Sequence, residues 1–185
     1  MNAFLIALGA NLPIGERSPT DTLQSALTAL SARNVLVDRV SRFYRTPCFP
    51  PGAGPDYVNA AARVRADITP EEMLKILHGV EADFGRERVV RWGTRTLDLD
   101  LIAAENTVRP DLQTFTRWHD LSPQDQQTKT PDTLIVPHPR LQDRAFVLVP
   151  MRDIAADWVH PVLNRSVAEM CDALSPDALA EVVAL

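Results

Sequence analysis

Leucine alternates with a polar residue between Thr96 and Leu101, and this alternation constrains the fold more than any other stretch of the chain. A period of two is typical of a β-strand with one face on a core. The leucines then face the core, while Asp98 and Asp100 share the opposite face. Two carboxylates roughly 7 Å apart repel each other by about 2 kcal/mol at an effective dielectric of about 20. We therefore expect an arginine or a divalent metal between them.

Aspartates at positions i and i+2 of a strand offer hard oxygen ligands. Mg²⁺ accepts such ligands while it keeps waters and substrate phosphates in its other positions. Gly85 and Gly93 mark the preceding segment as a loop, and it contains Arg86, Arg88, Arg91 and Arg95. Because guanidinium groups bind phosphate oxygens in pairs, the acids and arginines together indicate a polyphosphate site. A solvated strand whose aspartates pair with nearby arginines explains the two acids equally well when they are considered alone.

The size and charge of the chain limit its possible functions. At 185 residues it is expected to form one domain over residues 1–185. A net charge of -5 argues against a nucleic-acid partner, because such proteins need a broad basic surface. The N-terminus has no basic leader and no apolar run long enough to span a membrane, so we expect a cytoplasmic protein without a membrane partner. We also expect a monomer. Cys48 and Cys171 lack metal-ligand spacing and are expected to be free thiols.

Together with the strand of Asp98 and Asp100, the other predicted elements give the order β-α-β-β-α-β. Strands are expected at residues 3–9, 35–44 and 57–68, and helices from 19 to about 33 and from 70 to 84. Ser18 and Thr69 each precede a proline and lie three residues before an acid, which is the capping-box pattern of a helix start. Gly85 is expected to end the second helix.

Three further segments have weaker local signals. Gly9 to Asn11 is expected to form a turn after the first strand. Residues 104–134 show no periodicity and are expected to form a long surface insertion. His138 stands between two prolines, and a short helix is expected after Pro150. A lone histidine is usually structural, but the flanking prolines restrict its backbone and favour a position beside a ligand.

Several separate motifs occur in a fixed order along the chain. They are FYRTP at 43–47, DYVNAA at 56–61, RWGTRTLDLDLI at 91–102, VPH at 136–138 and RAF at 144–146. With this combination the chain resembles the hydroxymethyldihydropterin pyrophosphokinases of folate biosynthesis, over most of its length. The resemblance implies an α+β fold, a ferredoxin-like sandwich with a mainly antiparallel sheet flanked by helices. The independently predicted order of elements agrees with that fold.

The resemblance also implies an activity. Members of this family transfer the β,γ-diphosphate of ATP to the hydroxymethyl group of a reduced pterin and release AMP. Asp98 and Asp100 would hold two Mg²⁺ ions that bridge the triphosphate. Arg86 and Arg95 would bind the phosphates and complete the catalytic set. No protein nucleophile is required, because positioning and electrostatic stabilisation would support direct in-line attack by the pterin hydroxyl.

Further site residues follow from the matching positions. A flat, polar-edged pterin needs stacking on its faces and amide hydrogen bonds, and the matching residues are Thr46, Pro47, Phe49, Tyr57, Asn59, Trp92 and Phe146. On the ATP side they are Arg86, Arg88, Arg91, Arg95, His138 and Arg144, with Glu81, Leu101 and Ile135 for adenine. Core packing explains any one of the aromatics better, whereas the joint match favours pterin binding. Thr94 replaces the usual proline, and the arginine loop is slightly short.

Two other functions could use a similar pattern. A nucleotidyltransferase with the same pair of aspartates would release pyrophosphate, but no Gly-Ser motif precedes them. An RNA-binding module could use the sheet and the arginines of residues 86–95. The acidic net charge and the lack of aromatic-rich RNA motifs argue against it.

Overall fold

The computed structural model describes residues 1–48, 52, 54–85 and 96–185. Its strands are β1 (Asn2–Ala10), β2 (Leu36–Val40), β3 (Tyr44–Thr46), β4 (Tyr57–Ala66), β5 (Asp98–Ala104) and β6 (Val183–Ala184). Its helices are α1 (Pro19–Ser31), α2 (Pro70–Asp83), α3 (Leu112–His119), α4 (Pro123–Thr128), α5 (Ala145–Ala155), α6 (Val167–Asp172) and α7 (Pro176–Ala180).

The strands form one antiparallel sheet in the order β5-β1-β4-β3-β6, and β2 also pairs with β4. Helices cover both faces of this sheet, so the predicted α+β sandwich with an antiparallel sheet flanked by helices is confirmed. The assignment of residues 1–185 to one domain stays a prediction. Cys48 and Cys171 are both buried and are not joined by a disulfide.

Two apolar cores lie on the two faces of the sheet. The core under α1 and α2 includes Phe4, Ile6, Leu8, Leu23, Leu30, Met73 and Leu77. The core under α5 and α6 includes Leu5, Ala61, Ile102, Leu148, Met151 and Met170. Because alternate residues of β1 enter opposite cores, this central strand is apolar almost throughout.

Capping boxes start α1 and α2, as predicted. The Thr69 hydroxyl accepts a hydrogen bond from the Glu72 N–H at 3.2 Å, and the Glu72 carboxylate accepts one from the Thr69 N–H at 2.7 Å. Ser18 and Asp21 repeat this arrangement at the start of α1. Gly85 has a φ of 73° after the end of α2, a left-handed conformation that glycine adopts without strain.

The strand predicted over residues 35–44 is interrupted. The Ala61 N–H of β4 donates a hydrogen bond to the Ser41 hydroxyl at 2.9 Å. A side chain thus accepts the bond that a backbone carbonyl of the facing strand would accept in a regular ladder. The ladder therefore breaks, and β2 and β3 pair with β4 as separate strands. The periodic pattern alone does not reveal this side-chain substitution.

The surface insertion expected at residues 104–134 contains two short helices, α3 and α4, which the lack of periodicity did not indicate. Its assignment as an insertion stays a prediction. Asp111 caps α3, and its carboxylate accepts a hydrogen bond from the Thr114 N–H at 2.8 Å. Phe115 is only 1% exposed. Eight residues with a single buried side chain give too little periodicity to reveal a helix.

The helix predicted after Pro150 begins earlier, at Ala145. Pro150 lies inside α5, where it lacks the N–H that would bond to the carbonyl four residues before it. Buried neighbours on both sides of the proline, Val147, Leu148, Met151 and Ile154, hold the helix on the sheet. Their packing outweighs one lost hydrogen bond.

Candidate active site

A row of residues crosses the sheet at one end. Asp98 on β5 lies opposite Gly9 on β1, Gly9 lies opposite Asn59 on β4, and Asn59 lies opposite Tyr44 on β3. Directly opposed residues of antiparallel strands point to the same face. This is the face that α5 covers, and Asp100 belongs to it as well, since it lies two residues after Asp98.

The alternation on β5 places the acids as predicted. Asp98 and Asp100 are partly exposed, whereas Leu99 is 2% exposed and Leu101 is 4% exposed. The regular strand begins at Asp98, two residues later than the alternation suggests. Ile102 lies on the face of the acids but is buried under α5, so only the first half of the strand is open.

Asn59 forms the polar centre of the row. It is 7% exposed, and its Nδ2 donates a hydrogen bond to the Thr46 Oγ1 at 2.6 Å. This bond fixes the orientation of the amide, so that Oδ1 remains an acceptor with a defined direction. Tyr57 is partly buried on the same face of β4, and Pro47 is exposed directly after β3.

Gly9 is a site residue that the sequence analysis missed, because the predicted turn at Gly9 to Asn11 is wrong. β1 continues through Gly9 to Ala10. A Cβ at Gly9 would lie 3.0 Å from the Asn59 Oδ1 and 4.0 Å from the Tyr57 Cδ1. The glycine therefore leaves room for the amide between the strands. A lone glycine inside an apolar strand was the available signal, since it often marks a close approach.

His138 lies beside the edge of β5. The His138 backbone N–H donates a hydrogen bond to the Ile102 carbonyl at 2.8 Å. The ring Nδ1 of His138 accepts one from the Arg140 backbone N–H at 3.1 Å. Burial, together with the positive charges of Arg144 and Arg140, lowers the pKa of His138 to about 3, although Asp98 opposes the shift. The neutral ring therefore carries its proton on Nε2, which makes this atom a hydrogen-bond donor.

The start of α5 adds a cation and an aromatic ring. Arg144 is the N-cap residue, and its guanidinium carbon lies 5.7 Å from the centre of the Phe146 ring. Phe146 is 39% exposed, so part of its ring is open to a ligand. Both side chains precede the part of α5 that is buried against the sheet.

The residues expected on the adenine side are buried. Glu81 is 2% exposed, and its Oε1 accepts a hydrogen bond from the Leu99 N–H at 2.8 Å. This bond supports β5 between the two aspartates. Leu101 and Ile135 are 4% and 6% exposed, so their side chains offer little surface to a ligand.

The remaining predicted site residues lie outside the described residues. They are Phe49, Arg86, Arg88, Arg91, Trp92 and Arg95, and the departure at Thr94 lies there too. Their roles stay predictions. Over residues 1–48, 54–85 and 96–185, no three His, Cys, Asp or Glu side chains form a group that could hold a metal. Asp98 and Asp100 still suit Mg²⁺, which is often held by one or two carboxylates together with substrate phosphates.

Comparisons with known proteins all lead to one family. Residues 5–156 match the model of 7,8-dihydro-6-hydroxymethylpterin-pyrophosphokinase, abbreviated HPPK. A relative from Synechocystis, named 2-amino-4-hydroxy-6-hydroxymethyldihydropteridine pyrophosphokinase, is 35% identical over 91% of this chain and 74% of its own. A relative of the same name from Haemophilus influenzae is 34% identical over 90% of this chain and 92% of its own.

Solved structures agree on the fold. The chain superposes on a crystal structure of HPPK-DHPS in complex with substrates with a TM-score of 0.64 and 11% identity. The superposition covers 93% of this chain and 43% of that one, so the chain spans less than half of that protein. In the part of the chain that the structure describes, no helix has the length and apolar character needed to cross a membrane.

Proposed function

The chain belongs to the 7,8-dihydro-6-hydroxymethylpterin-pyrophosphokinase family, and from this membership we propose that it transfers diphosphate from ATP to the hydroxymethyl group of 6-hydroxymethyl-7,8-dihydropterin. AMP is the second product, and the reaction belongs to folate biosynthesis. One observation carries the proposal: a single cross-strand row joins the acid Asp98 to the amide Asn59, with Gly9 between them. An acid that suits a metal–phosphate complex and an amide that suits a heterocycle thus lie on one face.

Asp98 and Asp100 are the proposed metal ligands. They would hold the two proposed Mg²⁺ ions, which would supply positive charge that neutralises the triphosphate. The Glu81 carboxylate keeps Leu99 in place through the backbone N–H between the two acids. This support holds both carboxylates on the same face while substrate binds.

The phosphates are proposed to lie between β5 and the start of α5. The neutral His138 donates from Nε2 to a phosphate oxygen, and Arg144 contributes a fixed positive charge. Arg86 and Arg95 are the proposed catalytic arginines, with Arg88 and Arg91 as further phosphate ligands and Trp92 as a cover. For adenine we propose contact with backbone groups near Leu101 and Ile135, because their side chains are buried.

The pterin is proposed to lie against Asn59. The oriented Asn59 Oδ1 accepts from the N–H groups of the pterin edge, while Tyr57 and Phe146 contact its faces. Thr46 and Pro47 add backbone contacts, and Phe49 lies in the loop that follows. These contacts hold the pterin hydroxyl in line with the β-phosphorus. A new bond then forms from that oxygen to the β-phosphorus, the bond from the β-phosphorus to the AMP oxygen breaks, and the hydroxyl proton leaves to solvent.

The products test this function. Wild-type protein with Mg²⁺, ATP and the reduced pterin should form AMP and the pterin diphosphate in equal amounts. ADP as the only nucleotide product would indicate ordinary phosphoryl transfer, and release of pyrophosphate would indicate a nucleotidyltransferase. Either result overturns the proposal. We also propose that the chain acts as a monomer in the cytoplasm, which light scattering and cell fractionation can test.

Substitutions of the aspartates test the site. Asp98→Asn and Asp100→Asn should each lower kcat by at least about a hundredfold, because each removes a proposed metal ligand. Circular dichroism should show that both variants remain folded. Asp132→Asn changes an exposed acid elsewhere in the chain and serves as the matched control with wild-type activity. Wild-type kcat in both site variants would exclude the acids as metal ligands.

A further inference from the structure

Arg42, Tyr44 and Asp153 form a group that we call the α5 clamp. The Asp153 carboxylate on α5 accepts four hydrogen bonds. Arg42 donates from its backbone N–H at 3.1 Å, from Nε at 3.2 Å and from Nη2 at 2.9 Å, and the Tyr44 hydroxyl donates at 2.8 Å. The Arg42 guanidinium also lies 5.4 Å from the centre of the Tyr44 ring. The clamp therefore joins α5 to β3 and to the residues that precede β3.

The buried part of the clamp is the hydrogen bond between Tyr44 and Asp153. Tyr44 is 2% exposed, and the Asp153 side chain is 21% exposed. Burial and the bond to Asp153 raise the pKa of Tyr44 to about 12, so that the hydroxyl remains a donor throughout the physiological range. Burial raises the pKa of Asp153, but the hydrogen bonds from Arg42 and Tyr44 outweigh it and lower that pKa overall. The charged Asp153 carboxylate and the protonated Tyr44 hydroxyl thus form a charge-assisted hydrogen bond that is largely shielded from solvent.

On β3, the clamp connects directly to the proposed pterin contacts. Tyr44 lies opposite Asn59 in the sheet, and Thr46 follows two residues later on the same face. Thr46 in turn accepts the hydrogen bond that orients the Asn59 amide. A shift of Tyr44 would therefore move both partners of that hydrogen bond.

On α5, the clamp lies two helical turns from the proposed stacking residue. Phe146 precedes Asp153 by seven residues, which places both on one side of the helix about 10 Å apart along its axis. Phe146 is itself 39% exposed, so packing against the protein does not fix its position fully. Its distance from Asn59 depends on where the helix lies against the sheet.

We propose that the α5 clamp is a positioning device that sets the gap between Phe146 and Asn59 and thereby determines how tightly the pterin binds. The inference rests on the proposed function and deepens it, because the clamp residues themselves need not touch the substrate. The clamp acts chiefly on the pterin side, because Arg144 at the N-cap is the one proposed phosphate ligand on α5 among the described residues. The aspartates and His138 are held by β5 and Glu81, which are independent of it.

Kinetics of clamp variants test the inference. Tyr44→Phe removes one hydroxyl and keeps the ring, and Asp153→Asn removes the charge and keeps the shape. In each, KM for the pterin should rise about tenfold and kcat should stay within about twofold of wild type. KM for ATP should rise by no more than about threefold, because only Arg144 of the proposed phosphate ligands lies on α5. The double variant should match Asp153→Asn alone, since both changes break the same contact.

A second ion pair on α5 provides the matched control. Arg152 donates to the Asp172 carboxylate at 2.7 Å, so this pair joins α5 to α6 and not to β3. Asp172→Asn should therefore leave KM for the pterin unchanged even if it lowers the melting temperature. Comparison of Asp172→Asn with the clamp variants distinguishes a general destabilisation of α5 from a displacement of α5 relative to β3.

The possible outcomes are distinct. A wild-type protein that forms no AMP overturns the proposed function and this inference with it. An active wild type whose Tyr44→Phe variant is folded and keeps its pterin KM overturns the clamp alone, and so does an equal rise of both KM values. Should Asp153→Asn fail to fold, Tyr44→Phe decides the question, because it retains the pairing of Arg42 with Asp153.

Discussion

Gly9 contributes to the proposed site because, without a Cβ, it leaves room for the Asn59 amide. It stands between Asp98 and Asn59 in the cross-strand row, so any Cβ there would enter the space between an acid and an amide. The Asn59 Oδ1 would lie 3.0 Å from that Cβ, which is closer than ordinary van der Waals contact. The Asn59 amide would have to move by a few tenths of an ångström, which would strain its hydrogen bond to Thr46.

Gly9→Ala should therefore impair pterin binding without destabilising the fold. We expect KM for the pterin to rise about fivefold while KM for ATP stays the same, because only the amide is displaced. Gly79→Ala is the control: Gly79 lies in α2, and a Cβ there would meet nothing within 4 Å. That change should raise stability by about 0.5 to 1 kcal/mol and leave both KM values unchanged. Unchanged pterin kinetics in Gly9→Ala would show that the close contact is relieved at no cost.

Among the elements, α3 is attached by a small set of rings. The centre of the Phe115 ring on α3 lies 5.5 Å from the centre of the His160 ring. The centre of the Trp158 ring lies 5.7 Å from the same His160 ring. His160 is fully buried, and its Nδ1 accepts hydrogen bonds from the N–H groups of Val162 and Leu163 at 3.1 and 3.2 Å. One buried histidine therefore joins the segment at residues 104–134 to the turn before α6.

This histidine makes stability depend on pH. Burial, and to a lesser extent the neighbouring His119, lowers the pKa of His160 to about 4, compared with 6.5 for an unperturbed histidine. The folded protein binds fewer protons at this site than the unfolded chain. The stabilisation is therefore fully present above pH 6.5 and is lost as the pH falls from there towards 4.

Urea denaturation at two pH values should reveal this contribution. Between pH 7.5 and pH 5.0, His160 should reduce the free energy of unfolding by about 2 kcal/mol. In His160→Asn, the amide oxygen can accept the same two N–H groups, so the variant should fold and lose about 2 kcal/mol less than wild type over this interval. Other acids titrate in both proteins and cancel in the comparison. Equal pH dependence of the two proteins would contradict the assignment.

At the level of the whole molecule, the middle of the sheet carries the apolar cores, and one end of the sheet carries the proposed site. Both faces of its middle are covered by helices and buried in apolar cores. The proposed site lies at the end of the sheet where Asp98, Gly9 and Asn59 meet, and this end is partly exposed. Ligands that bind this end should therefore stabilise the folded protein without rearranging its core.

Thermal denaturation should show this stabilisation and its dependence on metal. A nonhydrolysable ATP analogue at a hundred times its Kd, with Mg²⁺, adds about 2.7 kcal/mol to the free energy of unfolding. For a chain of this size, that corresponds to a rise in melting temperature of about 5 to 10 °C. Removal of Mg²⁺ by EDTA, or substitution of Asp98 by Asn, should abolish most of the rise. The same rise in the presence of EDTA would exclude metal-dependent nucleotide binding.

Local signals predicted those parts of the fold that depend on neighbours in sequence. Ser18 and Thr69 start helices because each side chain bonds to an N–H three residues away. Asp98 and Asp100 share a face because the period of a strand requires it. By contrast, the local pattern predicts a turn at Gly9, because the role of this glycine depends on Asn59 of another strand, fifty residues away in sequence. The sequence gives no periodic signal for α3, because its one buried residue, Phe115, packs on distant His160.

The sequence by itself determined the β-α-β-β-α-β order of the elements up to β5, with β2 and β3 predicted as one strand. It also determined the common face of the two aspartates and, through its resemblance, the family. Each of these follows from periodicity, from side chains within four residues of one another or from motifs in order. Only the tertiary structure decided that Asp98, Gly9 and Asn59 form one row, that His138 is neutral and that Asp153 fastens α5 to β3. These features join residues up to 111 positions apart, and their energies come from burial and close contact, which exist only after the chain has folded.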